Sequence, residues 1–422
     1  MTQESLLSDD LLRQLVAVGQ VDILVGLPTL NHASTVPDIV RAVHASFSTY
    51  FPRQRTLLLN SDGGSDDNTP ALVRDCCLDE VGTVTVSHSL RTSHRISTPY
   101  HGMPGKANAL RRIFAVSDLL SAGVVVVLDP EVVSLTPAWV AALAWPIRDQ
   151  QCDFVAPVYP RYHAEGLLVT QLLRPLIRAG YGRRVREPLA GEFGCSSKFA
   201  AYCVEQPVWD SDLMQNSVDL WLTGTALAGP FRMCQAWLGP RVLATGLHRP
   251  GLAEVFKQIV GSAFQTLDTH ADYWLPRTGS EDVPLLGTTL GVPEDTPPQD
   301  GAPLAKSFSR DVRDLNEVLR AILTPETLAA VAASAENADG PRYPDELWAA
   351  TVYEFLVAYH HSVMRRDHIT QALLPLYLAR SGTFLIEHAA SVPDAVNEAL
   401  ESLCVQFERS KGGAVERWNQ TT

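Results

Sequence analysis

The sequence lacks any run of about 18 or more apolar residues, the length that a membrane-spanning helix requires. It also lacks a block of basic residues, and its net charge is −13, which argues against nucleic acid or an anionic membrane surface as the main partner. A phosphate-bearing substrate stays compatible with that charge, because a few local cations or helix-end amides suffice to bind it. The first residues are acidic, unlike those of a secretion signal, so we expect a cytoplasmic protein without a membrane span.

Cysteine pairing motifs are absent as well. The seven cysteines are an odd number and are scattered, with Cys76 and Cys77 adjacent. They form neither a disulfide framework nor a paired CxxC zinc motif, so we interpret them as reduced thiols.

The chain of 422 residues is too long for one ordinary core. We predict an N-terminal helix within residues 1–20, an α/β domain over 21–250 and a mainly helical region over 251–422. A Pro/Gly-rich stretch at 276–303 is predicted to be a long loop without regular structure.

Short apolar runs alternate with helical stretches in the first third of the chain. VDILVGL (21–27) and VVVVL (124–128) are typical of strands buried on both faces of a parallel sheet. Further strands are predicted at 56–60 and 83–87, and Pro28 is predicted to end the first strand. This β-α-β-α succession predicts an α/β fold with a mostly parallel central sheet and helices on both faces.

Helical periodicity accounts for most of the remaining segments. The predicted helices cover Ser34–Tyr50, a stretch from Pro70, Lys106–Val116, Leu328–Ala333, Asp345–His361 and Ile369–Ala389. Thr324 before Pro325 is predicted to cap a helix start.

Two carboxylates follow the most apolar strand, in the segment VVVVLDPEV. Asp129 and Glu131 are two residues apart, and side chains at that spacing point the same way in extended chain. Both can therefore face one hard divalent cation, which prefers oxygen ligands and neutralises a diphosphate leaving group. An Asp after a strand is about as often a turn residue or a helix cap, and this alternative stays open.

Two further polar segments lie where ligands bind in such sheets, beyond the carboxyl ends of strands. In NSDGGSDDNT, Asp62 is a candidate to accept from a base or ribose, with a plain turn as the alternative. Gly105 and Lys106 open a helix, and helix-start amides with a lysine suit phosphate oxygens, although such pairs are common.

Three later segments offer weaker candidates. In EPLAGEFG, small residues surround Glu192 and suit close approach to a small polyol. His248, followed by Arg249, is a candidate third metal ligand. Arg161 is a candidate for an acceptor carboxylate, with an ordinary surface arginine as the alternative.

In chain order, these segments resemble the GT-A glycosyltransferases, and within them the retaining synthases of small compatible solutes such as mannosylglycerate synthase and glucosyl-3-phosphoglycerate synthase. The resemblance covers about residues 21–267, with a fainter likeness at LWAATVYEFLVAY in the tail. LDPEVVSLTPAW is similar to the metal-binding segment of that family, with Glu131 where Asp is usual. EPLAGEF is similar to its acceptor loop, and GLPTLNHASTV to its first-strand loop, with His32 in place of an acidic residue.

The resemblance implies a role for each matched residue. The donor would be bound by Pro28, Leu30, His32, Asp62, Gly105, Lys106 and Asp129. The acceptor would be bound by Arg161, Leu189, Ala190, Gly191, Glu192 and Arg249. The metal ligands would be Asp129, Glu131 and His248, and the catalytic set would be Asp129, Glu131, Glu192 and Asp219.

The implied activity is a transfer, dependent on Mg²⁺ or Mn²⁺, of a hexose from UDP-glucose or GDP-mannose to glycerate, 3-phosphoglycerate or a similar small acceptor, with retention. The helical tail suggests either dimerisation or an acceptor lid, and we expect a homodimer. Three alternatives stay open: a nucleotidyltransferase, a catalytically degenerate protein that binds nucleotide-sugar, and an inverting family-2-like transferase. The substitutions at His32, Pro130 and Glu131 motivate the degenerate binder.

Overall fold

The computed structural model describes residue 7 and residues 9–76, 94–99, 105–161, 165–189, 191–209, 211–244, 251–288, 300–337 and 342–420. The chain divides into two compact units. The first, here called the sheet unit, comprises Met1–Pro160, Ala190–His248 and Pro284–Gly291. The second, here called the helical unit, comprises Arg161–Leu189, Arg249–Val283 and Val292–Thr422.

Ten strands lie in the described part of the chain. They are β1 Ile23–Thr29, β2 Thr56–Asp62, β3 His94–Pro99, β4 Val124–Val127, β5 Phe154–Val158, β6 Arg183–Arg184, β7 Phe193–Ser196, β8 Met233–Trp237, β9 Glu281–Asp282 and β10 Leu285–Leu286. Eight of them form one sheet in the order β10-β8-β5-β7-β4-β1-β2-β3. Only β7 runs antiparallel to its neighbours in that sheet, so the predicted mostly parallel α/β fold is confirmed.

The described helices are numbered in chain order. They are α1 Asp9–Val18, α2 Val36–Tyr50, α3 Thr69–Asp75, α4 Lys106–Leu119, α5 Pro137–Gln150, α6 Arg174–Tyr181, α7 Ser197–Glu205, α8 Asp212–Ala228, α9 Leu252–Thr269, α10 Ala271–Trp274, α11 Ala302–Ala305, α12 Phe308–Asp314, α13 Asn316–Ile322, α14 Pro325–Ala335, α15 Asp345–His360, α16 Arg366–Glu387 and α17 Pro393–Trp418. A π-helical stretch, Val169–Leu173, leads into α6. Thr324 accepts a hydrogen bond from the backbone N–H of Thr327, so the predicted cap is confirmed.

The central strands are buried on both faces because helices cover both sides of the sheet. On one face, Ile23 and Val25 of β1 belong to the same core cluster as residues of α2 and α5. On the other face, Gly26 of β1 lies against α4: a Cβ at Gly26 would lie 2.7 Å from Ile113. This close approach fixes α4 on the sheet, and its first residue, Lys106, lies at the carboxyl edge.

Two strands extend further than their apolar runs. Pro28 was predicted to end β1, and this was wrong, because the ladder with β2 continues through Pro28 to Thr29. The pairing of β1 with β4 stops at Gly26, so the missing N–H of Pro28 removes no bond from the ladder. β2 likewise continues from Asn60 to Asp62.

The remaining predicted elements differ from the structure in their bounds. The strand predicted at 83–87 lies outside the described residues, and the strand beside β2 is β3, which was not predicted. The longest helix, α17, was also not predicted. The stretch at 276–303 was predicted to lack regular structure, but it contains β9 and β10, and β10 pairs with β8.

The two units also cut the chain differently from the predicted domains. Arg161–Leu189 falls in the helical unit and Pro284–Gly291 in the sheet unit, because chain segments join the unit they contact rather than the one they adjoin in sequence. Of the helices that the structure describes, none has the length and apolar character needed to cross a membrane.

Candidate active site

A cavity of about 340 Å³ opens at the carboxyl edge of the sheet. It lies within the sheet unit, where β1 and β4 end. Its lining consists of Pro28, Thr29, Leu30, His32, Gly105, Lys106, Asp129, Pro130, Glu131 and Asp219. Most of these residues were predicted to bind the donor or to act in catalysis, so the structure brings together side chains that the sequence only suggested.

Asp129 is the most constrained carboxylate of this cavity. Its Oδ1 accepts the backbone N–H of Glu131 at 2.9 Å, which turns the chain so that both acidic side chains line one cavity. Its Oδ2 accepts from the guanidinium of Arg241 at 2.8 Å. Gly191 lies against the same oxygen, since a Cβ there would be 2.4 Å from Oδ2. Only glycine fits at this position.

Glu192 is fully buried, although it was predicted to face the acceptor. Arg241 Nε donates to its two oxygens at 3.2 and 3.3 Å, and the Tyr159 hydroxyl donates to Oε2. Burial raises the pKa of Glu192, and Arg241 opposes that shift. With no exposed surface, Glu192 holds Arg241 in place, and its predicted contact with an acceptor stays a prediction.

Lys106 and Asp219 form the second charged pair of the cavity. The ammonium of Lys106 lies 2.8 and 3.0 Å from the two Asp219 oxygens and donates to the Gly191 carbonyl at 3.2 Å. Burial by itself lowers the pKa of Lys106, but Asp219 and Asp129 outweigh it and the pKa is raised. The lysine therefore stays charged. Asp219 lies two residues after a break in α8 at Ser217, where the backbone is not helical.

The loops after β1 and β2 are bound to each other. Asp62 accepts from the Thr29 hydroxyl, from the backbone N–H groups of Gly64 and Ser65, and from the Ser65 hydroxyl, at 2.6–3.0 Å. Four donors fill the acceptor positions of one carboxylate, and Asp62 is only 3% exposed. Asp62 thus shapes the loop, and its predicted contact with a base or ribose stays a prediction.

His32 lines the cavity, and a backbone hydrogen bond determines which ring nitrogen carries the proton. Its Nδ1 accepts the N–H of Leu30 at 3.0 Å, so the neutral ring carries its proton on Nε2. Burial lowers the pKa of His32, against the opposing effect of Asp129 and Glu131. The loop therefore presents a neutral ring where the resemblance implied an acidic side chain.

The predicted acceptor residues are only partly described. Arg161, in the helical unit, donates to both oxygens of Glu187 at 2.6 and 2.7 Å, so its guanidinium already binds a carboxylate of this chain. Leu189 is half-buried in the same unit. Ala190, His248 and Arg249 lie outside the described residues.

Arg241 and Tyr159 are the site residues that sequence reasoning missed. Both follow sheet strands at their carboxyl ends: Tyr159 comes directly after β5, and Arg241 lies four residues beyond β8. Their position after a strand could have identified both residues, but in the sequence only the residues after β1, β2 and β4 were considered on this ground.

The donor set fits a hard divalent cation in its chemistry and charge. Asp129 and Glu131 offer carboxylate oxygens, which Mg²⁺ and Mn²⁺ prefer. The carboxylates of Asp129, Glu131, Glu192 and Asp219 outnumber the cations Lys106 and Arg241 by two charges. Among the described residues no group of three His, Cys, Asp or Glu side chains could hold a metal ion. His248, the predicted third ligand, lies outside the described residues.

Comparisons with known proteins give a likeness in structure only. No protein-family model matches the chain, and no curated protein matches it. Glucosyl-3-phosphoglycerate synthase from Mycobacterium tuberculosis in complex with phosphoglyceric acid is 21% identical, with a TM-score of 0.43, covering 64% of this chain and 86% of that chain. The same protein with Mg²⁺ and uridine-diphosphate is 21% identical, with a TM-score of 0.41, covering 65% and 85%. Similarity at this level does not establish a family.

Proposed function

We propose that this chain is a metal-dependent glycosyltransferase that moves a hexose from a nucleotide-sugar to a small polar acceptor. The observation that carries the proposal is the cavity itself: the paired carboxylates after β4, the first-strand loop and the start of α4 with Lys106 meet at one carboxyl edge. Nucleotides bind at that edge in α/β sheets, and this combination suits a diphosphate with its cation.

The donor would be UDP-glucose or GDP-mannose, and the acceptor glycerate, 3-phosphoglycerate or a similar hydroxy acid. The sequence resemblance of LDPEVVSLTPAW and EPLAGEF to the compatible-solute synthases supports this choice. We also propose a cytoplasmic homodimer, for which light scattering after size exclusion is the test; a monomer at every concentration would contradict it.

Four side chains of the cavity have roles in the proposed transfer. Asp129 and Glu131 would hold the divalent cation. When bound, this cation supplies Lewis-acid stabilisation of charge on the leaving diphosphate. Lys106 and the first amides of α4 offer further donors to phosphate oxygens. Asp219 holds the Lys106 ammonium at the N-terminus of α4.

Retention without an enzyme nucleophile is part of the proposal. Asp129 and Asp219 each accept from a cation of this chain at 2.8 Å, and a carboxylate paired in this way is a poor nucleophile. Front-face attack by the acceptor hydroxyl is then the simpler route. Nuclear magnetic resonance of the product's anomeric centre would test it, and an inverted product would contradict it.

A second candidate is a degenerate protein that binds nucleotide-sugar without turnover. The contact of Arg241 with Asp129 favours it, because a cation of the chain already lies on a predicted metal ligand. The two candidates differ in metal-dependent turnover.

The deciding experiment measures release of nucleoside diphosphate by the purified chain with Mg²⁺, Mn²⁺ or EDTA. A panel of nucleotide-sugars is combined with D-glycerate and 3-phosphoglycerate. We expect metal-dependent release with one donor, lost in Glu131→Gln and kept in Glu205→Gln, which alters an exposed carboxylate of the same unit. Donor binding that is unchanged by EDTA, with no turnover on any donor, would overturn the transferase and favour the degenerate binder.

A further inference from the structure

Arg241 connects a half-buried carboxylate of the site, Asp129, with a fully buried one, Glu192. One terminal nitrogen, Nη2, lies 2.8 Å from Asp129 Oδ2, while Nε lies 3.2 Å from Glu192 Oε1. The guanidinium carbon is 5.8 Å from the centre of the Tyr159 ring. The side chain is 18% exposed, as against 0% for Glu192. A nearly buried arginine is thus divided between a metal-site carboxylate and a carboxylate closed off from solvent.

The backbone around Arg241 is fixed to the segment that carries Glu131. Val133 N–H donates to the Val242 carbonyl at 2.9 Å, and Ala244 N–H donates to the Glu131 carbonyl at 2.8 Å. Ser134 Oγ donates to the Pro240 carbonyl at 2.6 Å and accepts the Val242 N–H at 2.9 Å. These bonds hold the backbone on both sides of Arg241 and keep the residue close to Asp129.

We propose that Arg241 is the resident counter-ion of Asp129 and that it limits how tightly the site binds a divalent cation. The inference rests on the proposed function, since it assumes that Asp129 is a metal ligand. Arg241 is a positioning residue here: it acts through Asp129. A second cation at Asp129 Oδ2 must share this oxygen with the guanidinium or displace it, and the repulsion between the two charges lowers the affinity.

Glu192 keeps Arg241 paired when a divalent cation displaces the guanidinium from Asp129. When Nη2 leaves Asp129, Nε keeps its bonds to Glu192, so the arginine charge is not left unpaired in the interior. A lysine could not do the same, because one ammonium cannot span two carboxylates with the planar geometry of a guanidinium. The structure therefore assigns opposite effects to the two partners of Arg241. Removing the Arg241 charge should strengthen metal binding. Removing the Glu192 charge should leave Asp129 as the only carboxylate paired with Arg241, and metal binding should then weaken.

The test is titration of the full chain with Mn²⁺ alone, with free ion measured by electron paramagnetic resonance and folding checked by thermal melting. Arg241→Gln should bind Mn²⁺ on the order of tenfold more tightly, because a full charge next to the ligand is removed, with solvent screening limiting the gain. Glu192→Gln should bind it several-fold more weakly. Arg241→Lys keeps the charge and should stay within about threefold of the wild type. Arg53→Gln, an exposed arginine in the same unit, is the matched control and should change nothing.

The outcomes separate this inference from the function on which it rests. If the wild type binds Mn²⁺ and folded Arg241→Gln binds it equally or more weakly, the inference fails while the metal site stands. If Arg241→Gln does not fold, a Glu192→Gln affinity equal to or above that of the wild type overturns it. If neither the wild type nor any variant binds Mn²⁺, both the inference and the metal-dependent transferase are overturned.

Discussion

The two units bury cations in different surroundings. In the sheet unit, Lys106 and Arg241 are paired with carboxylates at the edge of a cavity. In the helical unit, the Lys411 ammonium donates to four backbone carbonyls at 2.6–3.4 Å and the residue is only 5% exposed. Burial lowers the pKa of Lys411 to about 8. The two sheet-unit cations lie beside open space, whereas Lys411 is enclosed by main chain; the buried Arg178 of the helical unit is paired with Glu401 and Glu408.

The difference indicates what each charge is for. A carboxylate can exchange one cationic partner for another. The ion pairs of the sheet unit therefore suit a site that admits charged ligands. The carbonyls around Lys411 belong to the last turn of α6, to the last residue of α10 and to Arg277, and helix-end carbonyls lack partners within their own helix. Lys411 therefore joins the ends of two helices to α17 and stabilises the fold.

The largest effect is expected from Lys411→Met, which replaces the unbranched apolar part of the side chain and removes the ammonium donors. Several buried carbonyls would lose their partner, so we expect a loss of about 3–5 kcal/mol in the free energy of unfolding. Urea denaturation measures it. The Mn²⁺ affinity of the folded molecules should not change. A loss of Mn²⁺ affinity in the folded variant would show that Lys411 also supports the cavity of the sheet unit.

A smaller effect is expected from pH at His270, in the same unit. Burial lowers the pKa of His270 to about 4, and its Nδ1 pairs with the Tyr181 hydroxyl at 2.7 Å. Above an unfolded pKa of about 6.5 both states are neutral, and as pH falls toward 4 only the unfolded state gains a proton. Stability should therefore fall across this window, by at most about 3 kcal/mol.

The measurement is urea denaturation of the wild type and His270→Gln over the same pH range. The variant should lose part of the pH dependence, because glutamine does not titrate there. Parallel curves for the two proteins would mean that His270 is protonated at its ordinary pKa in the folded state.

The smallest effect on the free energy is expected in the sheet unit, from Gly191→Ala. Its Cβ would lie 2.4 Å from Asp129 Oδ2 and would displace this carboxylate. An overpacked contact costs about 1–3 kcal/mol, so Mn²⁺ affinity should fall roughly tenfold. Gly412→Ala is the control: it lies exposed in α17 with open space around it and should add about 0.5–1 kcal/mol of stability. Wild-type affinity in Gly191→Ala would refute the assigned packing.

Much of the cavity could be predicted because its residues directly follow or begin regular elements. Asp129 and Glu131 come after a strand of four valines, and Lys106 opens a helix whose periodicity is visible in the sequence. A short apolar run fixes its own secondary structure locally, and parallel strands then gather their carboxyl ends at one edge. Arg241 was missed because it lies 112 residues from Asp129, and nothing local joins the two.

The sequence by itself determined the β-α alternation of the first third of the chain, the mostly parallel sheet and the polar edge where β1 and β4 end, because these depend on the periodicity of short segments. Only the tertiary structure decided which charges meet. It turned Glu192 inward to Arg241, used the carboxylate of Asp62 within a loop and placed Pro28 inside β1, where the neighbouring ladder had already ended. Pairing and burial depend on segments far apart in sequence, and only packing brings these within hydrogen-bond distance.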